Sequence, residues 1–125
     1  MKDKRFCLRR RLDSFKYAFR GIRLLLRYEH NARIHVVCGI CVIIAGILLG
    51  ISCSEWIAVI IVSGCVLAAE AFNSSVERLA DIVSPGYSEA VRNVKDMAAG
   101  AVLLTAVAAF IIGLIIFLPR IISLH

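Results

Sequence analysis

The sequence contains no GxxxxGK(S/T) and no GxGxxG, which excludes a P-loop and a Rossmann nucleotide site. No Ser-His-Asp hydrolase arrangement is legible. Cysteine is odd in number, at positions 7, 38, 41, 53 and 65. Cys38 and Cys41 form a CxxC, but no second pair and no His cluster completes a zinc set, so they read as small packing residues in an apolar run. The basic residues have no interleaved aromatic pattern and no known nucleic-acid module beside them, which sets nucleic acid aside as a partner.

Apolar residues are what the chain has in excess. They make up 60% of its 125 residues, and the mean hydropathy is +0.84. Soluble domains are roughly half apolar, and a core of this size could not hide the surplus from water. A bilayer can. Of the fifteen Lys and Arg residues, eleven lie between Lys2 and Arg33, ahead of the first apolar run. Basic residues beside a span follow the positive-inside rule and the attraction of anionic headgroups.

In chain order, residues 1 to 11 read as a poorly ordered basic arm. From Leu12 to Tyr28, Phe15, Ala18, Phe19, Ile22, Leu25 and Leu26 recur at helical spacing, with Lys16, Arg20, Arg23 and Arg27 on much of the remaining circumference. That pattern predicts an amphipathic helix at a membrane interface. Glu29 to His35 is a linker. Residues 34–51, apolar apart from His35, are long enough to cross a hydrocarbon core of roughly 30 Å and read as an uncleaved span. Ser52, Ser54 and Glu55 make a short turn, and Trp56 sits where interfacial aromatics belong. A second span covers 56–72, with its helix continuing past Asp81. Ser84-Pro85-Gly86 breaks it, a polar stretch from Ser88 follows, and the third span covers 96–118, ended by Pro119 and Arg120. The prediction is an all-α membrane protein of one domain, with a surface helix and three transmembrane helices.

The charges orient it. The N-terminal region and the 78 to 95 segment carry fourteen of the fifteen positive charges and the 51 to 55 turn carries none, so both charged segments belong in the cytoplasm.

Glu70, Asn73 and Glu77 are spaced i, i+3, i+7 and share a helix face. Carboxylates at a membrane edge are costly without a partner or a task. At 1.5 Å per residue, Glu70 lies about 21 Å along the helix from Trp56, within reach of the polar end of a lipid. Glu77 lies about 10 Å further, at the level of a soluble metal-bound phosphate, and Asp81 continues the face. Carboxylates with a carboxamide suit Mg²⁺ shared with substrate phosphates, Lys95 could offset phosphate charge, and Glu29 could be a second metal ligand from the same side. The structural alternative is ion pairing, Glu77 with Arg78 or Arg92.

Glu70-x-x-Asn73-Ser74-Ser75-Val76-Glu77-x-x-x-Asp81, the short Ser-Pro-Gly-Tyr loop and Lys95-Asp96-Met-Ala-Ala-Gly100-Ala-Val resemble the signature of the prokaryotic diacylglycerol kinase family, which includes the undecaprenol kinases. The resemblance runs from about Arg10 to Arg120. It implies a homotrimeric kinase of the bacterial inner membrane that moves the γ-phosphoryl of Mg-ATP onto a lipid hydroxyl, diacylglycerol first and undecaprenol as the alternative. By match to the family pattern, Glu70 is the general base and Asn73 orients base and substrate. Glu29 and Glu77 bind the metal with ATP. Arg10, Tyr17, Lys95 and Asp96 contact ATP, with Gly86, Tyr87 and Ser88 near the nucleotide. Arg10, Glu70 and Ala99 meet the lipid. Two positions depart from the pattern: Ser74-Ser75 replaces the usual Thr-Ala or Ser-Ala, and Ser88 stands where many members carry His. Glu29 to His35 and the ending Ile-Ile-Phe-Leu-Pro-Arg look more like the undecaprenol-kinase branch.

Two other classes compete. A small proton-coupled transporter would place its carboxylate near the bilayer midplane, whereas these acids crowd to one side. A non-catalytic membrane subunit would bind no Mg-ATP. Ala98, Ala99, Gly100 and Ala101 on the third span permit close helix contact between copies.

Overall fold

The three apolar runs fold as helices, as they must where a bilayer offers the backbone no hydrogen bonds. The computed structural model describes residues 8–124, and its elements are α1 (Leu8–Tyr28), α2 (His30–Leu49), α3 (Cys53–Val83) and α4 (Glu89–Ser123). Among the described residues there is no strand. Of the arm expected over residues 1 to 11, residues 1–7 lie outside the described residues, and Leu8 to Arg11 form the first turn of α1. No residue of α1 is buried, and its Phe15, Phe19 and Ile22 are exposed on the chain.

The linker expected over Glu29 to His35 is a sharp corner instead. Only Glu29 is extended, at φ −106° and ψ 113°, and α2 begins at His30. Arg33 makes this corner possible. Its Nε donates to the Leu26 carbonyl at 2.6 Å and its Nη2 to the Arg27 carbonyl, so the open end of α1 is closed by a side chain from α2. Ala32, with no exposed surface, sits in the angle.

The α2–α3 hairpin turns on Gly50, whose φ of +63° is a conformation that favours glycine. Ser52 and Glu55 then form a reciprocal capping box. The Ser52 N–H donates to Glu55 Oε1 at 3.0 Å, and the Glu55 N–H donates to Ser52 Oγ at 3.3 Å. The same carboxylate receives Arg120 in a two-pronged pair of 2.5 and 2.6 Å, tying the end of α4 to the start of α3. Trp56 folds back on Gly46, and together with Ile51 leaves no room there for a Cβ. Ile51, Val59 and Ile116 form the small apolar core nearby.

The helices outrun the apolar stretches read from sequence. The 31 residues of α3 and 35 of α4 extend about 46 and 52 Å, against a hydrocarbon core of roughly 30 Å. The polar end of α3 and the polar start of α4 therefore project from the bilayer side by side. At the other end α4 continues through Pro119 to Ser123. Proline's φ is helical and removes a single backbone bond, and Arg120 Nη1 donates to the Ile116 carbonyl at 3.1 Å in the same turn.

Helices α2, α3 and α4 are long and apolar enough to cross a membrane, yet their most apolar windows are only 11%, 22% and 6% buried within the chain. Ile43, Ile60, Leu104 and Phe110 face outward. Cys38, Cys41, Cys53 and Cys65 are free thiols on that outer surface, so the CxxC packs against nothing inside this chain.

Candidate active site

Helix α3 carries one inward stripe, Val59, Val66, Glu70, Ser74 and Ala80, at helical spacing. Glu70 is therefore buried by the same periodicity that buries the valines, and only 2% of it is exposed. A buried carboxylate needs a partner. It finds one on α2, where His35 Nε2 lies 3.1 Å from Glu70 Oε1. His35 is brought there by the face it shares with Ala32, Gly39, Val42 and Gly46, all buried or half-buried. On this face Gly46 is the closely packed position, where a Cβ would meet Trp56 and Ile51.

One turn further along α3, Asn73 Oδ1 and Ser74 Oγ are buried with no hydrogen-bond partner. Orphaned buried polar atoms are rare in folded proteins and ask for a ligand or water. Glu77 follows, half-buried. Glu70, Asn73 and Glu77 thus lie along one side of α3, as their spacing predicts.

Glu29 and Arg78 define a second part of the site. A cleft of about 330 Å³ opens between α1 and α3, lined by Gly21, Leu25, Glu29, Ser74, Ser75 and Arg78 among others. Arg78 Nη2 is 3.9 Å from Glu29 Oε1, and its guanidinium stands 5.4 Å from the Tyr28 ring centroid. The structural alternative, a Glu77–Arg78 ion pair, does not form among the described residues, because adjacent residues on a helix point apart and Arg78 faces Glu29. Glu29 occupies the N-cap position of α2 without capping it. Its side chain is 28% exposed.

The third part joins α3 to α4. Lys95 Nζ donates to Asp81 Oδ1 at 2.6 Å. That hydrogen bond, with smaller contributions from the charges of Asp81 and Glu77, raises the Lys95 ammonium above the ordinary lysine value, while partial desolvation opposes it. Lys95 is thus a cation held at Asp81, one helical turn along α3 from Glu77. The other pair of that structural alternative, Glu77 with Arg92, does not form either: Arg92 turns to Asp96 at 4.0 Å, one helical turn away.

The remaining residues named from sequence lie on α1, in the α3–α4 loop and on α4, with contacts local to those segments. Tyr17, 65% exposed, shares an open groove on α1 with Lys16, Phe19, Arg20 and Arg23. Arg10 is exposed one turn before Ser14, which donates to its carbonyl at 3.0 Å. Gly86 accepts a hydrogen bond from Ser84 at 3.2 Å, and Tyr87 is 81% exposed. Ser88 caps α4, accepting from the Val91 N–H at 3.4 Å, and Ala99 is exposed on α4.

Among the described residues no three His, Cys, Asp or Glu side chains converge into a cage for a metal. Glu29 and Glu77 offer carboxylate oxygens, the ligand type of a hard cation otherwise completed by phosphate oxygens and water. Two groups in the site were not picked out from sequence as site residues. His35 gave a signal, the single polar residue in an apolar run. Arg78 gave none, since its partner lies on another helix.

The family model for prokaryotic diacylglycerol kinase matches residues 16–117. An undecaprenol kinase of Bacillus subtilis is 37% identical over 119 residues, covering 95% of this chain and 97% of that protein. A diacylglycerol kinase of Synechocystis is 39% identical over 115 residues, covering 90% of this chain and 65% of that one. A diacylglycerol kinase of Sinorhizobium is 29% identical over 106 residues, 85% of this chain and 77% of that one.

Proposed function

The chain belongs to the prokaryotic diacylglycerol kinase family, and on that premise we propose that it transfers the γ-phosphoryl of ATP to the hydroxyl of diacylglycerol, yielding phosphatidic acid. The observation that carries this reading is Glu70, a carboxylate buried in α3 with two unpartnered polar atoms, Asn73 Oδ1 and Ser74 Oγ, one turn away. Undecaprenol is the second acceptor, favoured by the end-to-end match to the Bacillus subtilis protein.

In this reading a primary hydroxyl of the lipid enters at the cytoplasmic interface beside Glu70 and Ala99. Glu70 accepts its proton as the oxygen attacks phosphorus, and Asn73 holds the hydroxyl in line. Phosphoryl transfer asks a protein for positioning and charge rather than covalent chemistry. Lys95 supplies charge to the transferring group, and Arg10, Tyr17, Asp96 and the Gly86-Tyr87-Ser88 loop hold the nucleotide. Glu29 and Glu77 would hold Mg²⁺, which when bound offsets the phosphate charge. The basic α1 lies on the inner face of the bacterial inner membrane and closes the site from above. The outward apolar faces of α2, α3 and α4 are covered partly by lipid and partly by two further copies in a homotrimer.

The experiment is to supply the purified protein in micelles with Mg-ATP and either diacylglycerol or undecaprenol in parallel. Phosphorylation of diacylglycerol supports the first reading, preference for undecaprenol supports the second, and no lipid phosphorylation with either defeats both.

A further inference from the structure

We propose that His35 is a positioning residue for the general base: its imidazole on α2 holds the Glu70 carboxylate in one orientation, leaving the second oxygen to receive the lipid's proton. This rests on the reading of Glu70 as the base and adds a residue which that reading does not use.

The geometry points there from both sides. His35 Nε2 stands 3.1 Å from Glu70 Oε1, close enough for an N–H donor to fix that oxygen. No other ion pair to Glu70 occurs among the described residues. The Glu70 side chain is 3% exposed while that of His35 is 27% exposed. Water cannot orient the carboxylate, and the imidazole reaches it from the edge of the helix pair. Asn73 Oδ1 and Ser74 Oγ, the nearest polar groups further along α3, hold nothing and do not compete for it. A base oxygen must lie within hydrogen-bond reach of the proton it removes, and a misplacement of about 1 Å can cost 100-fold. An imidazole that occupies Oε1 directs Oε2 to the reacting side.

Packing alone does not explain the residue. On the face that α2 turns to α3, Ala32, Gly39 and Gly46 are small and Val42 is apolar, and His35 is the single polar member. A leucine there would serve helix contact and would supply no donor to Glu70.

The test compares His35→Leu, which removes the donor, with His35→Gln, whose side-chain amide offers an N–H near the position of Nε2. Both are made in the full-length protein and in a Glu70→Gln background. The readouts are kcat for lipid phosphorylation in micelles and KM for ATP and for lipid. We expect His35→Leu to lower kcat by roughly 10- to 100-fold, with both KM values within about threefold of the parent. His35→Gln should recover most of that loss. In the Glu70→Gln background His35→Leu should cost nothing further, since its whole effect passes through that carboxylate.

Unchanged kcat in His35→Leu overturns the proposal. So does a loss confined to KM, an equal loss in His35→Gln, or an undiminished loss in the Glu70→Gln background. Should His35→Leu not fold, His35→Asn, too short to reach Oε1, takes its place, and misfolding of both assigns His35 to the fold alone and overturns the proposal too. Failure of the underlying reading looks different: Glu70→Gln alone would then keep near-full turnover.

Discussion

Lys95 Nζ and Asp81 Oδ1 meet at 2.6 Å and tie the polar start of α4 to the polar end of α3, one helical turn beyond Glu77. As a structural ion pair this contact would matter little, since exposed pairs contribute about 1 kcal/mol or less. On the proposed reading Lys95 rests on Asp81 and turns to phosphate when ATP binds. Lys95→Met should therefore lower lipid phosphorylation by roughly 100-fold, in line with the loss of a charge that stabilises a transition state. Asp81→Asn frees the lysine and should cost about tenfold or less. Steady-state kinetics with varied ATP separates the two, and equal small losses in both variants would reduce the pair to surface structure.

The far end of the molecule predicts a pH effect on stability. Arg120's hydrogen bond, followed by those from Ser52, lowers the Glu55 carboxyl from 4.5 to about 2. The group lies in the turn outside the apolar stretches. A depressed folded-state pKa stabilises above the unfolded value and is lost as pH falls through the folded one. The difference in thermal midpoint between the parent and Arg120→Gln, measured in micelles, should be largest above pH 4.5 and shrink toward pH 2. A difference that stays constant over that range would show that the pair carries no pH-dependent stability.

Gly46 predicts a packing effect. A Cβ there would sit 2.7 Å from Trp56 Cη2 and 3.1 Å from Ile51 Cδ1, so the indole must move. Overpacking of this kind costs about 1–3 kcal/mol. Gly46→Ala should lower the unfolding midpoint and shift the fluorescence of the chain's single tryptophan, while Gly39→Ala, with nothing within 4 Å, should do neither. Identical midpoints for the two variants would mean that Trp56 does not pack as described.

The spans were legible because a bilayer imposes a length and a composition that nothing else in the chain satisfies. Helix ends were less so. Hydropathy marks Phe72 only as the end of an apolar stretch; the helix expected to continue past Asp81 runs to Val83, because its backbone keeps its hydrogen bonds whether its side chains meet lipid or water. The end expected at Pro119 is the one that fails: proline reads as a stop, but α4 continues through it to Ser123. For the site, the spacing of Glu70, Asn73 and Glu77 predicted their shared side of α3. Partners across helices were not readable: Arg78 turns to Glu29, Glu55 to Arg120 and His35 to Glu70 because of which helix faces meet, a property of tertiary packing rather than of local sequence.

The most direct test of the account is Glu70→Gln, which keeps shape and hydrogen bonding but cannot accept a proton. Phosphorylation of the lipid in micelles, with Mg-ATP binding measured beside it, is predicted to fall by roughly 100-fold or more while nucleotide affinity stays unchanged. Near-full phosphorylation by this variant would contradict the assignment of Glu70 as the base.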